Sequence, residues 1–203
     1  TTHTPIRGQP DLLPAYDLLP RELPLIPRVY LSRGCGNRCG FCSPAYYFKN
    51  QFRIRHHKAV FSDICNLHNL FDFSWYNIGD LTFPINYQES LRLLKLLSES
   101  DFRPWWCQTQ VSKINTHTAY LLFNAGCRAV ALGFEDFFTK DAAISRKNVS
   151  KNASQAACEA LREFGITVQG YWLFGLPDDT FSAAMQRIAD ICEMIRRDLV
   201  NIV

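Results

Sequence analysis

Three of the eight cysteines in the 203-residue chain lie close together. Cys35, Cys39 and Cys42 have the spacing C-x3-C-x2-C. Thiolates are preferred ligands of iron–sulfur clusters, and three thiolates this close in sequence can hold one side of a cubane cluster. Neighbouring glycines let the backbone bend tightly, and Arg33 and Arg38 offset the negative charge of the thiolates. The spacing predicts a 4Fe–4S cluster in which one iron has no protein ligand.

Two other interpretations of the three cysteines stay open. A zinc-binding module would need a fourth ligand, which His56, His57 or Cys65 could supply. A non-catalytic electron carrier would normally bind its cluster through four cysteines. No obvious fourth cysteine follows the three. An open coordination position is what a reactive cluster needs, so the pattern favours a reactive cluster over both alternatives.

The other five cysteines are scattered through apolar, periodic stretches of the chain. We predict that they are small buried hydrophobic residues and not ligands. They are Cys65, Cys107, Cys127, Cys158 and Cys192.

Strand-like and helix-like segments alternate from residue 28 onward, and they must position the cysteines. The predicted strands are 29–32, 74–78, 105–111, 128–134, 166–174 and 199–203, and the predicted helices are 61–71, 88–98, 116–123, 152–164 and 179–197. Strands separated by helices of this length form parallel β/α units. The pattern predicts an α/β fold, either an open, partial barrel or a doubly wound sheet. In both, the chemistry lies at the carboxyl ends of the strands.

Composition and charge argue against a nucleic-acid-binding, membrane-spanning or secreted protein. Hydrophobic residues make up 47% and charged residues 20%, as in a well-packed globular domain. The net charge of +3 is spread along the chain, which predicts no nucleic-acid patch. No apolar run reaches the ~20 residues of a membrane span, and no secretory signal opens the chain. A cytoplasmic location is expected.

The domain organisation is predicted from prolines and from the two ends of the chain. Residues 1–28 are rich in proline and predict an extended lead-in or linker, because proline removes a backbone donor and breaks helices. Residues 29–203 predict one core domain. The chain begins without Met and stops in a strand-like run, so we expect it to be part of a longer protein.

The cysteine loop resembles that of the radical S-adenosylmethionine (SAM) superfamily. The hallmark C-x3-C-x-aromatic-C of that family matches Cys35, Cys39, Phe41 and Cys42. The resemblance implies a partial (β/α)6 barrel of the TIM type. It also implies that the three cysteines bind a 4Fe–4S cluster and that SAM chelates the fourth iron. Electron transfer would then release a 5′-deoxyadenosyl radical, and Phe41 would lie near the adenine.

The resemblance extends to two further segments that would contact SAM. Gly79 and Asp80 follow the second predicted strand, where the family often has a glycine-rich, acidic motif that holds the SAM amine; the usual Gly-Gly-Glu is absent here. The third predicted strand contains Gln108 and Gln110, and one of them would point into the barrel. A strand-ending turn is the alternative interpretation of Gly79 and Asp80.

The fourth and fifth predicted strands carry the remaining implied SAM contacts. Glu135 ends a segment similar to the fourth strand of the family, where a glutamate commonly contacts SAM. Leu173 lies in a segment similar to the motif near the adenine. A capping carboxylate at Glu135 and a core leucine at Leu173 are the alternative interpretations.

Two segments resemble the cobalamin-binding branch of the superfamily: residues 10–20 and residues 47–55. That resemblance implies cobalamin, bound by an upstream domain outside this chain, and methylation of an unactivated carbon. Transfer-RNA methylthiotransferases, which share the Gly-Leu-Pro segment, are the nearest alternative. The resemblance also implies an electron donor of the flavodoxin or ferredoxin type. The substrate, small molecule or macromolecule, is not identified.

Overall fold

The computed structural model describes residues 14–20, 26–135, 149–177 and 179–201. Residues 1–13 and 21–25 of the predicted lead-in and residues 202–203 of the last predicted strand therefore lie outside the described residues. Within the described part of the chain, seven strands and six helices alternate. No helix in these ranges is long and apolar enough to cross a lipid bilayer.

The strands form a five-stranded parallel sheet in the order β1-β4-β5-β6-β7 and a two-stranded antiparallel hairpin, β2-β3. Their bounds are β1 (Arg28–Val29), β2 (Ser32–Gly34), β3 (Phe52–Ile54), β4 (Tyr76–Ile78), β5 (Trp105–Gln110), β6 (Cys127–Glu135) and β7 (Thr167–Trp172). Each strand of the large sheet pairs with the next one along the chain. A doubly wound sheet reverses direction at a switch point, so this order supports the barrel-type arrangement.

The helices connect consecutive strands and cover one side of the sheet. Their bounds are α1 (Ser43–Tyr47), α2 (His57–Leu70), α3 (Gln88–Ser98), α4 (Thr116–Asn124), α5 (Lys151–Glu163) and α6 (Phe181–Arg196). Leucines of α3, α4 and α5 join the strand residues in one apolar core. The bounds predicted for α3 are confirmed, because its leucines recur at helical spacing.

One helix start differs from the prediction by more than two residues. The helix predicted from residue 61 begins at His57, and His56 caps it. The start of α4 at Thr116 agrees with the prediction, and Asn115 caps it through a capping box in which the Asn115 and Thr118 side chains each bond the backbone of the other. Capping residues lie outside the apolar periodicity, so the periodicity alone misplaced the start of α2.

The first predicted strand, 29–32, is wrong in detail. It divides into β1, which joins the large sheet, and β2, which pairs with β3 as a hairpin. Gly34 ends β2 with a φ of +80°, and a Cβ there would collide with the carbonyl oxygen of Gln51. Only glycine fits at this position, so the chain turns sharply into the cysteine loop directly after β2.

The last predicted strand begins beside β7. Asn201 forms a parallel bridge with Gln169 of β7, and the Asn201 N–H donates to Val168 O at 2.8 Å. The sheet therefore continues in the same direction with a sixth strand position. Five β/α units followed by a sixth position are consistent with the predicted partial (β/α)6 barrel.

Candidate functional site

The cysteine loop lies between β2 and α1. Cys39 is buried, whereas Cys35 and Cys42 are partly exposed. The Cys42 N–H donates to Cys39 O at 3.1 Å, which closes a tight turn, and Cys42 is also the N-cap residue of α1. Phe41 lies inside the same turn and is partly buried. The backbone thus holds two of the three thiols at fixed positions.

Asp80 connects the end of β4 to the chain that enters the cysteine loop. Its Oδ1 accepts hydrogen bonds from the N–H groups of Leu31 and Ser32, both at 2.9 Å. The carboxyl is fully buried, and this burial raises the pKa of Asp80 to about 7, against the lowering effect of its hydrogen bonds. The predicted contact between Asp80 and the SAM amine stays a prediction, because the observed partners of Oδ1 are backbone groups.

A second contact joins the cysteine loop to the same region. Cys35 Sγ lies 3.9 Å from Thr82 Oγ1, two residues beyond Asp80. The loop is therefore tied to the segment after β4 at its entrance, through Asp80, and at its first cysteine, through Thr82. Sequence inspection did not single out Thr82, because a lone threonine in a turn carries no signal.

The spacing of the thiols bears on the zinc alternative. Tetrahedral zinc with bonds of about 2.3 Å places its sulfur ligands about 3.8 Å apart. In the part of the chain that the structure describes, one group of three ligand atoms lies within 4.8 Å, and it consists of His56, His57 and Glu89. The three cysteines do not form such a group. The three thiols are therefore not arranged as three ligands of one tetrahedral zinc ion.

His57, one of the histidines considered as a fourth zinc ligand, has a structural role. Its Nδ1 lies 2.7 Å from Glu89 Oε2, and its backbone N–H donates to the same oxygen at 2.8 Å. These bonds tie the start of α2 to the first turn of α3. Cys65 lies on α2 and is partly exposed, and burial raises the pKa of its thiol. The prediction that all five scattered cysteines are buried is wrong for Cys192, which is exposed.

An open cavity of about 370 Å³ extends from the cysteine loop along the open face of the sheet. Its walls come from β1, β2, β4, β5 and the segments that follow them. The lining residues are Arg28, Tyr30, Ser32, Arg33, Gly34, Phe48, Asn77, Gly79, Leu81, Trp106 and Gln108. Two of the residues predicted to contact SAM, Gly79 and Gln108, therefore lie in one cavity that reaches the residue before Cys35.

Gln108 and Gln110 lie on the same face of β5, because residues two apart on a strand point the same way. The exposure of β5 alternates, with both glutamines partly exposed and Thr109 between them buried. Gln108 Nε2 donates to Leu81 O at 3.1 Å. The expectation that one glutamine faces the barrel and the other does not is therefore corrected: both face it, and Gln108 lines the cavity.

Glu135 and Leu173 lie together at the carboxyl ends of β6 and β7. The Leu173 N–H donates to Glu135 O at 2.9 Å. Glu135 is buried and has a φ of +58°, a conformation that costs a non-glycine residue roughly 1 kcal/mol or more and is concentrated at binding sites. This geometry agrees with, but does not test, the predicted SAM contacts.

The loop after Leu173 is held by a buried ion pair. Both carboxylate oxygens of Asp179 accept from Arg187 of α6 at 3.0 Å, and the Gly175 N–H donates to Asp179 Oδ2 at 2.8 Å. Arg187 is 1% exposed. The bidentate pair fixes the Gly-Leu-Pro loop against α6 and thereby orients the end of β7.

The cavity contains residues that the sequence analysis did not assign to the site, above all Arg28, Asn77 and Trp106. Their signal is weak, because it depends on knowing the strand register. Arg28 pairs with Asn77, and Asn77 with Trp106. Trp106 could have been identified, because it lies two residues before Gln108 on β5 and therefore on the same face. No rule of spacing identifies Arg28 on β1 or Asn77 on β4.

The chain shares its fold with solved radical SAM enzymes. It superposes on the radical SAM methyltransferase TsrM from Kitasatospora setae, solved with cobalamin and a [4Fe–4S] cluster, with a TM-score of 0.73 and 18% identity over 84% of this chain and 35% of that one. It also resembles the cobalamin-dependent SAM radical enzyme OxsB, with a TM-score of 0.65 and 12% identity over 80% of this chain and 26% of that one.

Sequence relatives agree with the structural neighbours. The chain is 26% identical to an uncharacterized methyltransferase of Pyrococcus horikoshii over 83% of this chain and 38% of that protein. It is 25% identical to the bacteriochlorophyllide d C-8(2)-methyltransferase of Chlorobaculum tepidum over 75% of this chain and 36% of that protein. No family model matches the chain. The chain thus spans somewhat more than a third of the length of these curated relatives.

Proposed function

We propose that the chain is the catalytic core of a radical SAM enzyme, in which Cys35, Cys39 and Cys42 bind a 4Fe–4S cluster. The observation that carries the proposal is the position of the C-x3-C-x-Phe-C loop. It follows the hairpin strand that continues β1, at the carboxyl edge of a sequential parallel sheet, where barrel enzymes place their chemistry.

The residues of the chain hold and shape this site. The three cysteines provide one thiolate each, and the tight turn between Cys39 and Cys42 sets the spacing of two of them. Asp80 orients the backbone that enters the loop, and Gly34 permits its sharp turn. A bound cluster supplies the electron for reductive cleavage of the SAM sulfonium.

The proposed SAM site lies along the strand ends beside the loop. Gly79 and Gln108 line the cavity, and Glu135 and Leu173 lie at the ends of the next two strands. Phe41 projects from the loop itself. We assign these residues the roles of binding and orienting SAM. Asp80 keeps its proposed contact with the SAM amine, and its Oδ1 also positions the backbone that enters the loop.

The specific reaction that we propose is methylation of an unactivated carbon with cobalamin. The support is that both curated relatives are named as methyltransferases and that both reported structural neighbours are cobalamin-dependent or contain cobalamin. Cobalamin would be bound outside this chain. The proposal includes a cytoplasmic enzyme that receives electrons from a flavodoxin or ferredoxin.

The cluster and SAM proposals are tested together by anaerobic reconstitution. We expect about four irons and four sulfides per chain and a reduced-state EPR signal that changes when SAM is added. Zinc bound in place of iron would contradict the proposal. An iron–sulfur signal that SAM leaves unchanged would identify an electron carrier.

The methylation proposal is tested by counting the products of SAM in the full-length protein with cobalamin. Methyl donation converts SAM to S-adenosylhomocysteine, whereas hydrogen abstraction by the adenosyl radical produces 5′-deoxyadenosine. We expect S-adenosylhomocysteine to form only when cobalamin is present. Formation of 5′-deoxyadenosine alone, with or without cobalamin, would contradict the methylation proposal and leave SAM cleavage intact.

A further inference from the structure

Arg28 and Trp106 lie at the same level on the open face of the sheet. The register pairs Arg28 with Asn77, Asn77 with Trp106, and Trp106 with Ala129. Strands are about 4.8 Å apart, so the α-carbons of Arg28 and Trp106 are separated by roughly 10 Å, with Asn77 between them.

The side chain of Arg28 lies across Gly79. A Cβ at Gly79 would collide with the Cγ and Cδ atoms of Arg28. The methylene groups of Arg28 therefore run from the start of β1 toward the carboxyl end of the sheet. Gly79, which the sequence analysis assigned to SAM, has an additional role here, because its lack of a side chain makes the space that Arg28 occupies.

Among the residues that the structure describes, the charged residues lining the cavity are cationic and none is an acid. Arg28 and Arg33 are its two charged lining residues, and no carboxylate in the described residues pairs with either. Arg33 folds back over the ring of Tyr30, with its guanidinium carbon 5.7 Å from the ring centre. By contrast, Arg55, Arg103 and Arg187 each pair with a carboxylate. Two unpaired guanidinium groups in one cavity favour an anionic ligand.

Aromatic surfaces complete the cavity. Trp106 and Tyr30 are partly exposed within it, and Phe48 closes the side toward the cysteine loop. Asn77 Nδ2 donates to Trp106 O at 3.0 Å and Gln108 Nε2 donates to Leu81 O at 3.1 Å, so both amides are held against the sheet as walls. Flat aromatic surfaces of this kind suit a planar ring.

We infer that this cavity binds a planar aromatic substrate that carries a carboxylate, with the carboxylate on Arg28 and the ring against Trp106. The inference rests on the proposed function, since it names the substrate class of the same site. SAM also carries a carboxylate and could supply the anion that Arg28 recognises. The experiment below therefore distinguishes SAM from a separate aromatic carboxylate.

The test is calorimetric binding of indole-3-propionate and of its uncharged amide to the full-length protein, with SAM titrated separately. We expect the unmodified protein to prefer the carboxylate to the amide. Arg28→Gln should weaken carboxylate binding about tenfold or more, since a charge-assisted hydrogen bond is lost, and should leave amide and SAM affinities unchanged. Arg196→Gln, an exposed cation on α6, is the matched control and should bind all three ligands normally.

A second variant tests the ring contact. Trp106→Ala should weaken the carboxylate and the amide by the same factor, with the SAM-induced change in the cluster EPR signal retained. Circular dichroism of each variant checks that it is folded.

Three results would overturn the inference. The first is that the unmodified protein does not prefer the carboxylate to the amide. The second is that Arg28→Gln binds the carboxylate with normal affinity. The third is that Arg28→Gln loses affinity for SAM alone, which would assign the arginine to SAM. If the proposed function is wrong, the cluster EPR signal does not respond to SAM. The binding of the two indole ligands is measured independently of that signal and still tests the cavity.

Discussion

Trp105 and Trp106 are adjacent in sequence and lie on opposite faces of the sheet. Trp105 is 0% exposed, packs in the apolar core under the helices, and donates its indole N–H to Ala125 O at 2.6 Å. Trp106 is partly exposed and lines the cavity on the open face. The same side chain thus serves packing at one position and forms a cavity wall at the next, because successive residues of a strand point to opposite faces.

The difference extends over the whole sheet. The helix-covered face carries large apolar residues such as Ile78, Val130 and Leu132, all 0% exposed. Apart from Trp106, the residues of β5 and β6 on the open face are polar or small, such as Gln108 opposite Ala131. A filled barrel places bulky branched side chains on this inner face. Small and polar residues leave a cavity instead, so the helix-covered face stabilises the fold and the open face is available for ligands.

The largest expected effect comes from the loop at the edge of the open face. Cys42→Ala should abolish SAM cleavage, because it removes one of three proposed cluster ligands. Cys158→Ala, on α5 beneath the helix-covered face and 0% exposed, should retain cleavage at a small cost in stability. The measurement is 5′-deoxyadenosine formed by each reconstituted variant. Normal cleavage by both variants would refute the ligand assignment.

Asp80, after β4, bonds the backbone of Leu31 and Ser32, which leads into the cysteine loop. Its raised pKa predicts that the free energy of unfolding depends on pH. Burial raises the pKa of Asp80 from 3.8 to about 7. A raised pKa means that the folded state holds a proton that the unfolded state releases. The stability contribution is therefore fully present below about pH 4 and is lost as the pH rises through about 7. The loss at pH 8 is on the order of 4 kcal/mol.

The measurement for Asp80 is urea unfolding of the cluster-free chain at pH 5 and pH 8. Asp80→Asn, which keeps an oxygen acceptor for Leu31 and Ser32, should be much less sensitive to pH over this range. Asp72→Asn, at an exposed carboxylate, is the control and should behave like the unmodified chain. Equal pH dependence of all three proteins would contradict the assignment of the buried proton to Asp80.

The smallest expected effects come from two substitutions, one on each face of the sheet, whose effects on stability and on SAM binding are compared. Leu132→Ala on the helix-covered face should lower the free energy of unfolding by about 3 kcal/mol, from lost burial and a cavity. Gln108→Ala on the open face loses one hydrogen bond and should cost about 1 kcal/mol, yet it should weaken SAM binding. Urea unfolding and SAM titration of both variants test the pair; equal losses of stability would contradict the functional division of the sheet.

Much of the fold could be predicted because it depends on short-range patterns. The spacing of leucines in residues 88–98 defined α3, and glycines such as Gly126 and Gly165 ended α4 and α5 with φ values of +86° and +71°. The hairpin β2-β3 could not be predicted in this way. Its two strands contain mixed residues and are joined by a 17-residue connection that includes the cysteine loop and α1.

The sequence by itself determined the three cysteines as a set, the aromatic residue between them, and the alternation of strands and helices. These depend on residue type and on separations of a few positions along the chain. Only the tertiary structure decided that Asp80 bonds the backbone 48 and 49 residues away, and that Arg28 lies over Gly79 in line with Trp106. Strand register decides such contacts, and it is the outcome of packing across the whole sheet.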